Sequence, residues 1–413
     1  MSACPSSPIA VLTSHLGSEA DPGGASDGER AADLLAALKA VSDPRRSRGV
    51  RHRLVTVLAV AVCAVLAGAR SYVAIREWAA DLPVTARVRL GMGRVTPSES
   101  TFRRLLQTVN TDELDQALSG WIAHHVTAQA AGVQAGGAQA GGGRVVRAIA
   151  VDGKTVRGAR TDGGRAVHLL AALEHGSGVV LAQTRVDTKT NEITAFGPLV
   201  ERVAGIGVDL TGVVITADAL HTQHRHAHDL RGHGAHYVFI VKDNQPSLHT
   251  QLAGLPWRQI PLAHTSYDRG HGRIETRTLQ LTAIHGPAGA GIEFPHAQLA
   301  VRVTRRRRPL TSNGRWSTET VHAITSLGFA DLHPHQLAEI IRGQWRIENQ
   351  LHWVRDVSYA EDHSQIRTGT GPATMAVLRN FAISRHRLAG ATNIAHACRT
   401  TSRHPLRALD LLT

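Results

Sequence analysis

Three carboxylates, Asp152, Asp218 and Glu348, are the side chains of this sequence best placed to do chemistry. Asp152 closes the run VVRAIAVD and Asp218 closes GVVITAD, so each acid ends an apolar, strand-like segment. Strand ends along one edge of an α/β sheet are where such folds bind ligands. Taken singly, an Asp there is as readily a turn residue or a helix cap. Glu348 lies in HPHQLAEIIRGQWRIENQLHWVRDV, a long helix candidate with an apolar stripe through Ile340, Ile347, Leu351 and Val354. It borders that stripe, with His352 and Arg355 on its own side of the helix. A carboxylate at the edge of a buried face needs a partner; an intrahelical His or Arg would serve, and so would a metal ion. Three such acids suit phosphodiester chemistry, where two Mg²⁺ ions about 4 Å apart activate the attacking oxygen and relieve charge on the leaving one. Mg²⁺ takes a few hard oxygen ligands and keeps several waters, whereas His and Cys select other metals.

The elements that must position these acids fall into successive blocks. Residues 1–30, rich in Ser, Gly, Pro and Asp, read as a disordered tail. Residues 31–126 read as helical, with Ser98 or Ser100 capping one helix and Thr111 another. Within them, Leu54 to Gly68 (LVTVLAVAVCAVLAG) is apolar but shorter than the roughly 18 to 20 residues of a membrane-crossing helix, so it is expected to be a buried helix. Residues 127–144 form a Gly/Ala/Gln linker. Strand-like runs then follow at 145–152, 167–174, 179–187 and 212–218, alternating from there with helical segments in the manner of an α/β fold. A β-rich insertion is expected at about 245–334 within a catalytic unit of 145–385, and 386–413 reads as a basic helical tail.

Composition narrows the partners. The 413 residues carry 46 Lys and Arg against 33 Asp and Glu, a formal charge of +13 and a pI near 10.8, which favours a polyanion such as nucleic acid. Cys4, Cys63 and Cys398 are far apart and without CxxC spacing, which argues against a disulfide framework or zinc ribbon and fits a reducing cytoplasm. The N-terminus lacks the basic start and apolar core of a signal peptide. The histidines at 221, 224, 226, 228, 233 and 236 match no finger spacing and read as a solvated helix. Trp345 and Trp353 read as core anchors, and Trp316, in SNGRWST, as a side chain able to stack on a displaced base.

Five blocks in order, AVDGKTVRGAR, ITADALHTQ, VKDNQP, HGRIETR and WRIENQLHWVRDVSYAED, resemble the ISAs-type insertion-sequence transposases, which include the H-repeat-associated proteins and belong to the wider DDE group. DPRRSRGVRH (43–52) and PSESTFRRLL (97–106) resemble that family's N-terminal associated domain. The resemblance implies an α/β, RNase H-like catalytic core with a β-rich insertion, preceded by an all-α N-terminal domain. Asp152, Asp218 and Glu348 would be its catalytic triad and metal ligands, holding two Mg²⁺ ions for which Mn²⁺ can substitute. It implies double-stranded DNA as partner, at the element's terminal inverted repeats and at the target, with a homo-oligomer joining two ends. Water would free a 3′-hydroxyl that then attacks target DNA, in the cytoplasm at the nucleoid and away from membranes. Lys154, Arg157 and Arg160 beside the metals, Lys242, and the run Arg305, Arg306, Arg307 and Arg308 are then expected on the DNA backbone. The segment around Arg45 to Arg53, with Arg103 and Arg104, is the expected end-binding surface.

One signature departs from pattern. Related transposases carry Tyr, Arg and Lys around the glutamate, and alignment on Glu348 puts Ile341, Gln344 and Arg355 there. Arg355 keeps a cation for a phosphate, though not the geometry of Lys. Ile341 and Gln344 cannot do the original jobs, for which Arg342 and Arg346 are nearby substitutes. The departure leaves a second reading open, an inactive or repurposed descendant that only binds DNA.

Overall fold

The computed structural model describes residues 34–412 apart from 47, 49, 137–145, 161–165, 187–190, 271, 286–290 and 312–313. The expected tail at 1–30 and residues 137–144 of the expected linker lie outside them, whereas 127–136 of that linker are the end of a helix.

Residues 34–38 are helical, and five further helices follow: α1 (Leu54–Leu66), α2 (Tyr72–Ala80), α3 (Val84–Arg89), α4 (Glu99–Leu106) and α5 (Thr111–Gly136). Side-chain oxygens start three of them, Ser71 accepting from the Ala74 amide, Ser98 from that of Thr101, and Asn110, rather than the expected Thr111, from those of Asp112 and Glu113. Each satisfies an amide that the first helical turn leaves open. The apolar stretch is α1, and every residue of it but Val55 is buried by protein. No helix among the described residues is long and apolar enough to cross a membrane.

The chain then builds a mixed α/β unit around one large sheet. Its strands are β1 (Ala148–Arg160), β2 (Ala166–Glu174), β3 (Val180–Val186), β4 (Val214–Ala217), β5 (His236–Val241), β6 (His264–Gly270), β7 (Arg273–Ala283), β8 (Leu299–Pro309) and β9 (Ser317–Thr325). They lie in the order β3-β2-β1-β4-β5-β9-β8-β7-β6. The first three form an antiparallel meander, while β4 and β5 run parallel to β1. Helices α6 (Glu192–Gly205) and α7 (His224–Gly232) connect β3 to β4 and β4 to β5. The insertion carries α8 (Pro246–Ala253) and four strands, and it extends the same sheet because β9 pairs antiparallel with β5.

Two expectations about elements need correcting. Strand β1 does not end at Asp152; it runs on to Arg160 in a hairpin with β2 that sets Asp152 opposite Ala171. What ends there is β4, whose last residue, Ala217, pairs with Val151. The late helix is also not continuous. It divides into α9 (Pro334–Gly343) and α10 (Trp353–Ser358), with a π-helical turn over Glu348–His352 between them. Such a turn carries one extra residue, which a 3.6-residue periodicity does not register.

Alternation along the strands gives the sheet two apolar faces. Val214 and Val238 face α9 with Leu337 and Ile340, while their neighbours Ile215 and Tyr237 join the main core. That core takes in α1 and α11 (Gly371–Leu388), a helix buried along most of its length that packs against α1, α5 and β3. Helices α12 (Ile394–Ser402) and α13 (Pro405–Asp410) close over α1.

Candidate active site

Asp152 and Asp218 are the next residues after the paired Val151 and Ala217, so the point where β1 outruns β4 presents both acids at one edge. Asp218 is exposed and accepts a hydrogen bond from the Leu220 amide at 3.0 Å, capping a short 3₁₀ turn over Ala219–His221. Burial pushes the Asp152 carboxyl up to about 6. The charge of His352 opposes that rise, while those of Asp218 and Glu192 add to it.

The π turn brings its own acid to this edge. His352, 2% exposed, sets Nδ1 3.0 Å from Glu348 Oε2 and 3.6 Å from Asp152 Oδ2. Its hydrogen bond to Glu348, helped by the charges of His352 and Lys154, holds that carboxyl below its usual value against the effect of burial. One ligand atom each from Asp152, Glu348 and His352 lie within 4.8 Å of one another, a group able to hold a cation. Asp218 stands outside that group. The His352 Nε2 is buried without a hydrogen-bond partner among the described residues. Two carboxylates and an imidazole suit Mg²⁺ through oxygen and Mn²⁺ through both atom types, so the donors fit such an ion.

Sequence reasoning gives Gln344 only as a departure from the signature and passes over Glu192. Gln344 donates from Nε2 to the Val151 carbonyl at 3.0 Å and accepts from Thr216 Oγ1 at 2.5 Å, fastening the Glu348 segment to β1 and β4. Glu192, in the first turn of α6, lies against Gly153 and between His168 and His221. A Glu opening a helix is common for electrostatic reasons alone, so its position in the sequence gives no distinguishing signal.

A cleft of about 1260 Å³ opens beside the edge, from Asp218 across the inserted strands to Trp345 and Asn349. The run on β8 divides by strand alternation. Arg305 and Arg307 line the cleft, whereas the guanidinium groups of Arg306 and Arg308 lie 5.1 and 5.4 Å from the Trp316 ring centre. Lys242, Arg342 and Arg346 also line it. Several of these cations are already engaged: Arg305 forks onto Glu275, Arg342 pairs with Asp268 at 2.9 Å, and Arg346 donates to the His175 carbonyl. Lys154, nearly buried, pairs with Asp356 at 2.6 Å. Arg157 is exposed, 3.9 Å from Asp362, and the Arg160 side chain is outside the described residues.

Arg355 does not reach the cleft. It is 0% exposed, forks onto Glu361 and donates to Gln183, so the expected phosphate contact is replaced by a buried ion pair. Trp345 and Trp353 are likewise not core anchors: they are 68% and 55% exposed, because the broken helix turns both outward. In the histidine run, His224 and His228 are solvated as expected, but His221 and His226 are buried, His226 stacking on Phe196. None of the run joins a metal-holding group among the described residues.

Comparison with known proteins gives consistent matches. The profile of the DDE_Tnp_1-associated family covers residues 35–122, and that of the transposase DDE domain covers residues 145–384. YncI of Escherichia coli O157:H7, named as a candidate transposase, is 28% identical over 367 residues, 85% of this chain and 86% of its own. The H repeat-associated YhhI of Escherichia coli K12, named likewise, is 26% identical over 85% of this chain and 89% of its own. An uncharacterized protein from the dhlA 3′ region of Xanthobacter autotrophicus is 33% identical over 69% of this chain and 92% of its own. A solved piggyBac transposase synaptic complex with hairpin DNA aligns over 91% of this chain and 77% of that one, at 10% identity and a TM-score of 0.38, too low to carry an argument.

Proposed function

The chain belongs to the family of transposases with a DDE domain, and from that premise we propose that it cuts and rejoins DNA at the ends of an insertion sequence, using Asp152, Asp218 and Glu348. The observation that carries this reading is the shared edge: two acids next to one strand pair, with Glu348 and His352 closing on the first. An antiparallel meander followed by two strands parallel to β1, in the order β3-β2-β1-β4-β5, supports an RNase H-like core. The helices before residue 137 support a separate role in binding element ends.

Asp152, Glu348 and His352 would hold one divalent ion, with Asp218 beside it. When bound, such ions activate the attacking oxygen and stabilise the leaving one. The protein's own part is orientation. Without an ion His352 holds the Glu348 carboxylate through Nδ1, and Gln344 fixes the spacing between the π turn and both strands. Arg307 and Lys242 along the cleft would grip the DNA backbone, and the exposed Trp345 offers a flat face for a base. Arg157 and Arg160 on β1, with Arg305 deeper in the cleft, would extend that grip. Two ends must be joined, which calls for a homo-oligomer on DNA.

The test is nicking of DNA carrying the element's terminal inverted repeats with Mg²⁺ or Mn²⁺. Wild type is expected to cut, and Asp152→Asn and Glu348→Gln to lose cutting; equal activity in all three would overturn the assignment. The loss of phosphate-directed side chains at Ile341, Gln344 and Arg355 favours one rival, a descendant that only binds DNA. Salt-sensitive binding with no metal-dependent cut would establish that rival.

A further inference from the structure

Strands β6 to β9 carry three acids, Asp268, Glu275 and Glu319, and all three line the cleft. Each is taken by arginines of that side: Asp268 by Arg342, Glu275 by Arg273, Arg277 and Arg305, and Glu319 by Arg305. Side chains alternate along a strand, so the residues between these acids face the other way. The register sets Tyr267, Thr276, Arg306 and Thr318 in one row across the four strands, and Arg269, Ile274 and Arg308 in the next. That outer face therefore holds three arginines and no carboxylate of these strands. Its inner end is covered, where Gln280 donates to the Trp257 carbonyl at 2.7 Å and Arg302 lies 5.5 Å from the Trp257 ring centre. Further out it is open. Tyr267 is 79% exposed and Trp316 44%, and Arg269, Arg306 and Arg308 are exposed beside them, the last two over the Trp316 ring.

Three guanidinium groups without a neighbouring acid attract a polyanion. A guanidinium resting on an indole keeps its N–H donors in plane and available to phosphate oxygens. The two exposed rings narrow the choice of polyanion. A duplex hides the faces of its bases in the stack, whereas an unpaired strand offers them to aromatic side chains on an open sheet. At about 4.8 Å per strand, β6 and β9 lie about 14 Å apart, so bases can stack at both sides with the phosphates between them over β7 and β8. We propose that the outer face of β6 to β9 binds a single DNA strand, its bases on Tyr267 and Trp316 and its phosphates on Arg269, Arg306 and Arg308, on the side of the sheet away from the cleft. The choice of DNA rests on the reading of the chain as an insertion-sequence transposase; the choice of an unpaired strand rests on the face itself.

The test is fluorescence anisotropy of an end-labelled thymidine oligonucleotide on the full-length protein, with the strand either single or annealed to its complement. Wild type is expected to bind both forms. Tyr267→Ala and Trp316→Ala should each weaken single-strand binding about fivefold or more and leave duplex affinity at the wild-type value. Tyr267→Phe, which keeps the ring, should hold the single strand as wild type does. Arg307→Ala, on the cleft side, should do the reverse and weaken the duplex more than the single strand. Thermal unfolding of each variant separates a folding defect from a lost contact. Single-strand affinity unchanged in both alanine variants overturns the inference, and so does an equal loss for single strand and duplex. A uridine ribo-oligomer bound more tightly than the thymidine strand overturns DNA as the occupant. In each of these cases metal-dependent nicking of the terminal repeats by wild type leaves the transposase reading standing. Wild type that binds neither form of DNA overturns both.

Discussion

Glu361 is a fully buried carboxylate, and Arg355 and Arg379 carry its counter-charge from either side. The chain reaches it through Ala360, a non-glycine at φ 50, which turns the backbone under α10. Removing one partner of a buried ion pair exposes the other's desolvation cost, so Arg355→Ala is expected to lower stability by about 3 kcal/mol or more, read from urea unfolding. At Asp152 the folded state holds its proton to higher pH than the unfolded chain does. That carboxyl therefore takes stability away as pH rises from 3.8 to about 6. Mn²⁺ competes with the same proton, so its affinity should climb through that window and level off above it, in EPR titrations at stepped pH. The strands that carry Asp152 and lead to Asp218 were legible from their apolar runs, although only β4 ends at its acid. Arg355 was not, because its partner depends on a chain reversal with no local signal. Nor was Trp345, whose side of the helix depends on the turn after it.

Elements tell a similar story. Asp115 on α5 accepts the Gln183 amide of β3 at 3.0 Å and lies 3.6 Å from Arg202 on α6, joining three elements through one buried acid. Burial pushes it up to about 7, with the Gln183 amide and Arg202 only partly offsetting that. Its folded-state pKa is raised, so it favours folding at low pH and that contribution is lost as pH rises from 3.8 to about 7. Asp115→Asn should flatten this part of the stability curve, seen as urea midpoints that differ less between the two ends of the window than in wild type. The alternation of strands and helices was readable from periodicity alone. The pairing of β9 with β5 was not, since the partner strand lies far away in sequence. The π turn escaped too, because one added residue leaves each flanking apolar stripe intact.

At the scale of the whole molecule, the net positive charge is divided between faces. Arg307 lines the cleft while Arg306 lies on Trp316 across the strand. Arg307→Ala should therefore weaken DNA binding for any sequence and reduce the slope of log affinity against log salt by about 1, whereas Arg306→Ala should alter the slope less. Fluorescence anisotropy across a salt series distinguishes them, and equal slopes for the two variants would argue against a backbone-gripping cleft. Composition favoured a polyanionic partner, but the sorting of the four arginines required the strand's register.

Helix α1 is covered by α11, α12 and α13, which lie far later in the chain. Until those helices are made, LVTVLAVAVCAVL has only neighbours such as α2 and α4 to pack against, and part of its apolar surface lacks its native cover. Chaperone demand should therefore persist until α11 to α13 emerge. A frameshift or stop codon before Gly371 should therefore give a fragment prone to aggregate.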